Sequence, residues 1–129
     1  MIGYVTLGSN DLDRARAFYD DLFGSVGAGR LMEFGENFTL YGASWERPGV
    51  AVCKPYNGEA ATTGNGTMVA LVMDSRDKVD ALYAKALELG GTCEGAPGLR
   101  SPEGPQAFYG AYFRDLEGNK FCAFRTGPA

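Results

Sequence analysis

The chain repeats itself, and the repeat restricts its fold more than any other feature. Residues 2–8, IGYVTLG, form an alternating run rich in β-branched and large apolar side chains that stops at Gly8, the pattern of a short half-buried strand. Asn10, with Asp13 three residues on, then opens a helical pattern. Leu12, Ala15, Phe18, Tyr19 and Leu22 share one face of it, and Gly24 is the expected stop. Shifted by 64 residues the order returns: residues 67–73 are strand-like, Asp74 and Asp77 repeat the cap, and Val79, Leu82, Tyr83 and Ala86 replace Ala15, Phe18, Tyr19 and Leu22 before Gly90. Each helix is followed by three short runs with β signals, at 30–34, 37–42 and 50–55 and at 92–94, 107–114 and 120–125, with 115–119 as a hairpin turn.

Over these later strands the shift is 69, because Gly49 matches Gly118 and five extra residues sit in the loop 95–105. The first shift aligns Tyr4 with Met68, and the second aligns Cys53 with Cys122. The chain of 129 residues therefore reads as one α+β domain of two βαβββ modules, 1–56 and 67–126, joined by the Gly/Thr/Asn-rich linker 57–66.

Side chains two apart on a strand share a face. Val5 and Leu7 are expected under the first helix, with Tyr4 and Thr6 facing away; Val69 and Leu71 are expected under the second, with Met68, Ala70 and Val72 facing away. On the last strand Phe121 and Ala123 belong to the helix side, and Cys122 and Phe124 to the open side. Phe108, Gly110 and Tyr112 line the open face of the strand before it. Two curved sheets with helices outside would enclose a cleft, the default site for a small ligand. Aromatic lining suits a planar or apolar molecule. Trp45, Tyr56 and Asn57 are expected at the rim, and Arg100, in a Gly/Pro-rich loop able to fold over the cleft, is a candidate anion contact.

Composition narrows the function classes. A net charge of −4 and no basic stripe argue against a nucleic-acid partner. No apolar run approaches the roughly 20 residues of a spanning helix, and no signal-peptide pattern opens the chain, so a cytoplasmic location is expected. Three cysteines without CxxC spacing point to reduced thiols. There is no histidine, which removes every mechanism that needs imidazole as ligand or base.

The strand, then "SNDLDRARAFYDDLFG", the hairpins, "GNGTMVALVMDSRDKVDALYAKALELGG" and "YGAYFRDLEGNKFCAF" together resemble the glyoxalase/bleomycin-resistance/extradiol-dioxygenase superfamily, whose vicinal oxygen chelate fold pairs βαβββ modules. The resemblance covers nearly the whole chain. It implies metal ligands, mostly His and Glu, on the first and last strands of the modules; the matching positions are Tyr4, Cys53, Met68 and Cys122. None carries a hard donor of that kind, so no metal and no cofactor are expected. Two alternatives follow. The four residues line or fill the old site as adaptable, largely apolar groups, or Cys53, Met68 and Cys122 hold a soft ion such as copper(I). Cys53 and Cys122 could also form a disulfide if their Cα atoms lie within about 7 Å.

The resemblance leaves two functional expectations. One is a binding protein for a small, partly aromatic molecule. The other is a lyase-, isomerase- or dioxygenase-like enzyme working without a hard metal. Tyr4 would then be the acid, or Cys122 the nucleophile with Lys54 or Lys120 assisting. A homodimer is expected in either case.

Overall fold

The computed structural model describes residues 1–129, and these divide into two compact units, 1–64 and 65–129. The boundary falls inside the expected linker. In module 1, β1 (Tyr4–Gly8), α1 (Leu12–Gly24), β2 (Gly29–Phe34), β3 (Phe38–Gly42) and β4 (Gly49–Cys53) follow one another. Module 2 repeats the order with β5 (Val69–Val72), α2 (Arg76–Glu88), β6 (Thr92–Leu99), β7 (Phe108–Arg114) and β8 (Lys120–Thr126). The sheets run β1-β4-β3-β2 and β5-β8-β7-β6, with the first and last strand of each module parallel and every other pair antiparallel. The α+β, twofold βαβββ expectation holds.

Both helices start one residue later than their sequence pattern predicts. Asp11 caps α1, its side chain accepting from Arg14 N at 3.1 Å, and Ser75 caps α2, Oγ accepting from Lys78 N at 3.2 Å. Asn10 instead exchanges hydrogen bonds with the backbone of Ala61, and Asp74 pairs with Lys78 Nζ. Gly24 lies inside α1; the left-handed turn comes at Gly27, φ 81°.

Each core belongs to its own module. In module 1 the apolar stripe of α1, Phe23 included, is buried, and Tyr19 stacks on Phe23 at 5.2 Å with Tyr41 beside both. In module 2 Val79, Leu82 and Ala86 are buried with Ala111, Phe113, Phe121 and Ala123, and Phe113 stacks on Phe121 at 5.3 Å. Burial of each of these large side chains contributes about 2 kcal/mol. The helices lie on the last three strands of each module, β2–β4 and β6–β8, and not on β1 or β5. Val5, Val69 and Leu71 are accordingly only half-buried, although Leu7 is buried as expected. Tyr83, expected on the buried face, is also half-buried, its hydroxyl near Cys93.

The ladders revise the repeat register on the final strands. Ser9 N donates to Cys53 O, and Met73 N donates to Phe124 O. Ser9 and Met73 are related by the helix shift of 64, so Cys53 occupies the rung of Phe124, and Cys122 that of Ala51. The Gly49–Gly118 match misled by two residues, a slip that leaves every side chain on its face. No helix is long and apolar enough to cross a membrane.

Candidate functional site

The face of each sheet turned away from its helix carries the candidate residues, and the two faces differ. In module 1, Tyr4, Thr6 and Gly8 of β1 pair with Gly49, Ala51 and Cys53 of β4, and Phe38 of β3 lies opposite Cys53. Tyr4 is 54% exposed and meets the Phe38 ring edge-on at 6.0 Å. Tyr4 and Cys53 stand four rungs apart, roughly 13 Å along the strands, and so do not converge on one ion. Cys53 is half-buried, and burial pushes its thiol up. Trp45 and Tyr56 are exposed in turns, and Asn57 shapes its own turn by accepting from Glu59 N at 3.0 Å.

Module 2 carries a denser arrangement. Across its open face one row runs Ala70, Cys122, Tyr112, Gly95, and the next runs Val72, Phe124, Gly110, Gly98. Gly110 has no side chain to fill its rung, and a Cβ there would stand 2.9 Å from the Phe108 ring. Phe108 lies over it and stacks on Phe124, 5.3 Å between centroids and 7° from parallel. Cys122 is buried beside Tyr112, whose hydroxyl is within hydrogen-bonding reach of the sulfur; burial pushes both groups up. A raised thiol is a poor nucleophile near neutral pH, which works against a catalytic Cys122.

Arg100 turns onto this same face. Its guanidinium sits 5.4 Å from the Tyr112 ring centroid, and Lys120 Nζ sits 5.6 Å from it. The loop expected over 95–105 is in part strand, since β6 runs to Leu99 through register shifts at Cys93–Gly95 and Gly95–Gly98. The remainder is tied down and is no free lid. Arg100 N donates to Phe108 O, Phe108 N to Ser101 Oγ at 2.7 Å, and Arg76 of α2 grips both carboxylate oxygens of Glu103.

The structure thus brings Phe108, Gly110, Tyr112, Cys122, Phe124, Ala70 and Arg100 onto one face, and places Tyr4, Thr6 and Cys53 together on another. Met68 lies just ahead of β5, 43% exposed. Sequence reasoning brought Lys120 here only as a possible aid to Cys122, and gave Gly95 and Gly98 no place on this face. Lys120 was within reach of the alternation argument, being two residues before Cys122. The two glycines were not, because the bulges of β6 break its alternation.

Comparison with known proteins places this arrangement. The family model for the Glyoxalase/Bleomycin resistance protein/Dioxygenase superfamily matches residues 1–123. The chain belongs to this superfamily. A crystal structure of a glyoxalase/bleomycin resistance protein from Albidiferax ferrireducens T118 is 35% identical, with 97% of this chain and 98% of that one covered and a TM-score of 0.83. A family enzyme from Burkholderia phytofirmans PsJN (21% identity, 95% and 96% covered, TM-score 0.70) and a lactoylglutathione lyase from Agrobacterium tumefaciens (21%, 97% and 92%, 0.66) share the fold. No curated protein sequence matches the chain.

The four positions to which the resemblance assigns ligands, Tyr4, Cys53, Met68 and Cys122, carry a phenol, two thiols and a thioether, and the ladders put Cys53 one rung pair away from the equivalent of Cys122. No three His, Cys, Asp or Glu side chains form a group able to hold a metal ion. These donors do not fit a hard divalent ion.

Proposed function

We propose that this superfamily member is a binding protein that holds a small, partly aromatic molecule by stacking and shape, its inherited metal site having lost its hard donors. The observation that carries this reading is the paved open face of module 2, where the Phe108–Phe124 stack and Tyr112 lie on adjacent rungs. Flat apolar rings set side by side offer a stacking surface at low entropic cost.

A thermal-shift titration with 2-naphthamide and 2-naphthoate tests the reading. A ligand at about 100 times its Kd stabilises by about 2.7 kcal/mol, and no stabilisation by either compound overturns it. Metal analysis of tag-free protein adds a second arm. Stoichiometric zinc, iron, manganese or nickel would overturn the metal-free reading, whereas stoichiometric copper would favour the soft-metal alternative. The exposed phenol of Tyr4 is the best-placed acid if turnover exists; turnover of a bound compound that vanishes in Tyr4→Phe would make the protein an enzyme. We further expect a homodimer, because β1 and β5 leave sheet edges beside exposed Ile2 and Val72, and sedimentation as a monomer would refute it. Three free cysteines suit a reducing cytoplasm.

A further inference from the structure

Two cations on one sheet face of an acidic chain need an explanation. Arg100 and Lys120 both approach the ring of Tyr112, at 5.4 and 5.6 Å, and neither forms a salt bridge. Glu94, the carboxylate whose charge Lys120 feels, is engaged by Arg114. Like charges gathered on one face repel, and the ring face of Tyr112 offsets that only in part.

The backbone is shaped around the guanidinium. A Cβ on Gly98 would stand 3.1 Å from one terminal nitrogen of Arg100, and a Cβ on Gly95 would stand 3.2 Å from the other. Arg100 Nη2 donates to Ala96 O at 2.6 Å, which orients the planar guanidinium and, by engaging one of the two Nη2 hydrogens, leaves one two-pronged edge, Nη1/Nη2 or Nε/Nη2, for another acceptor. Such a fork suits a carboxylate better than a point charge does. One row further along the same face lies the Phe108–Phe124 stack.

We propose that Arg100 and Lys120 form an anion subsite beside Tyr112, and that the molecule bound on this face is a planar aromatic carboxylate. Its ring lies on the Phe108–Phe124 side, and its carboxylate meets the guanidinium and the ammonium. This rests on the binding reading above and specifies the chemistry of that same site. It also gives Gly95 and Gly98 a role: they keep the path of the Arg100 side chain clear.

Isothermal titration with 2-naphthoate and its uncharged isostere 2-naphthamide tests the assignment. Wild-type protein is expected to bind the carboxylate about tenfold or more tightly than the amide, the difference one charge-assisted contact supplies. That preference is expected to shrink as salt rises from about 50 to about 500 mM. Arg100→Gln and Lys120→Gln should each remove most of the preference, read as the ratio of carboxylate to amide affinity within each variant. Gly98→Ala should do so too, by displacing the guanidinium without deleting it. Equal binding of both compounds, or a preference that survives Arg100→Gln, overturns the anion subsite while the stacking reading stands. Failure of both compounds to bind overturns the two together.

Discussion

Gly110 leaves the ring of Phe108 free to lie across β7, and the contacts around it fix what a methyl would do there. The obstructing atom is the outer edge of a side chain, 2.9 Å from the added Cβ, so the ring can swing aside. Gly110→Ala is expected to cost only about 1 kcal/mol in urea denaturation and to weaken naphthamide binding by breaking the stack. Gly49→Ala is the contrasting case: its Cβ would stand 2.6 Å from the carbonyl oxygen of Tyr41. A backbone atom in a central ladder cannot turn away, and a loss of about 3 kcal/mol is expected. Thiol labelling reads the same scale. Exposed Cys93 should react first and buried Cys122 last, with Cys53 between, and the two slower thiols should need a higher pH than a free cysteine because burial holds them protonated. Parity along a strand is legible from sequence, which is why Gly110, Tyr112, Cys122 and Phe124 fall on one shared face in both readings. The position of the Arg100 side chain is not, since it depends on four residues in two strands, Gly95, Ala96, Gly98 and Tyr112, and on bulges with no sequence mark of their own.

At the scale of elements, the caps decide where each helix begins. Asp11→Ala and Ser75→Ala should each cost about 1 kcal/mol, and Asn10→Ala should act instead through its bonds to Ala61. The spacing of polar residues announced both helices but not which of two adjacent polar residues would cap, because both can accept a backbone N–H and tertiary contacts choose between them. The link between α1 and β2 is the bidentate pair of Arg30 with Asp20, at 2.8 and 2.9 Å, with Tyr41 Oη donating to Asp20. Arg30 and Tyr41 hold the Asp20 carboxyl below its ordinary value of 3.8. Its contribution is therefore present above that value and lost as pH falls through the lower folded one. Asp20→Asn is expected to flatten the acid side of a stability–pH curve measured by denaturant unfolding. Part of the slope should remain, since Arg114 and Arg76 similarly lower Glu94 and Glu103. A slope identical to wild type would show that Asp20 is already protonated alike in both states.

Across the whole molecule, the repeat carried the fold because a βαβββ order with matching helix stripes leaves each module one way to bury its apolar face. The register of β4 and β8 escaped it, because a two-residue slip changes no face and hydrophobic pattern alone cannot detect it. The repeat also has a thermodynamic consequence. Leu22 is fully buried among module 1 residues, and Phe121 among those of module 2. Leu22→Ala should cost about 3 kcal/mol and Phe121→Ala about 4 kcal/mol. Native-state hydrogen exchange shows where each loss is felt. With each core drawn from its own unit, Leu22→Ala is expected to speed exchange chiefly in β3 and β4, and Phe121→Ala chiefly in β7 and β8. Equal acceleration through both sheets in either variant would mean that the chain opens as a single cooperative unit, and that its twofold pattern records the order of elements without dividing its stability.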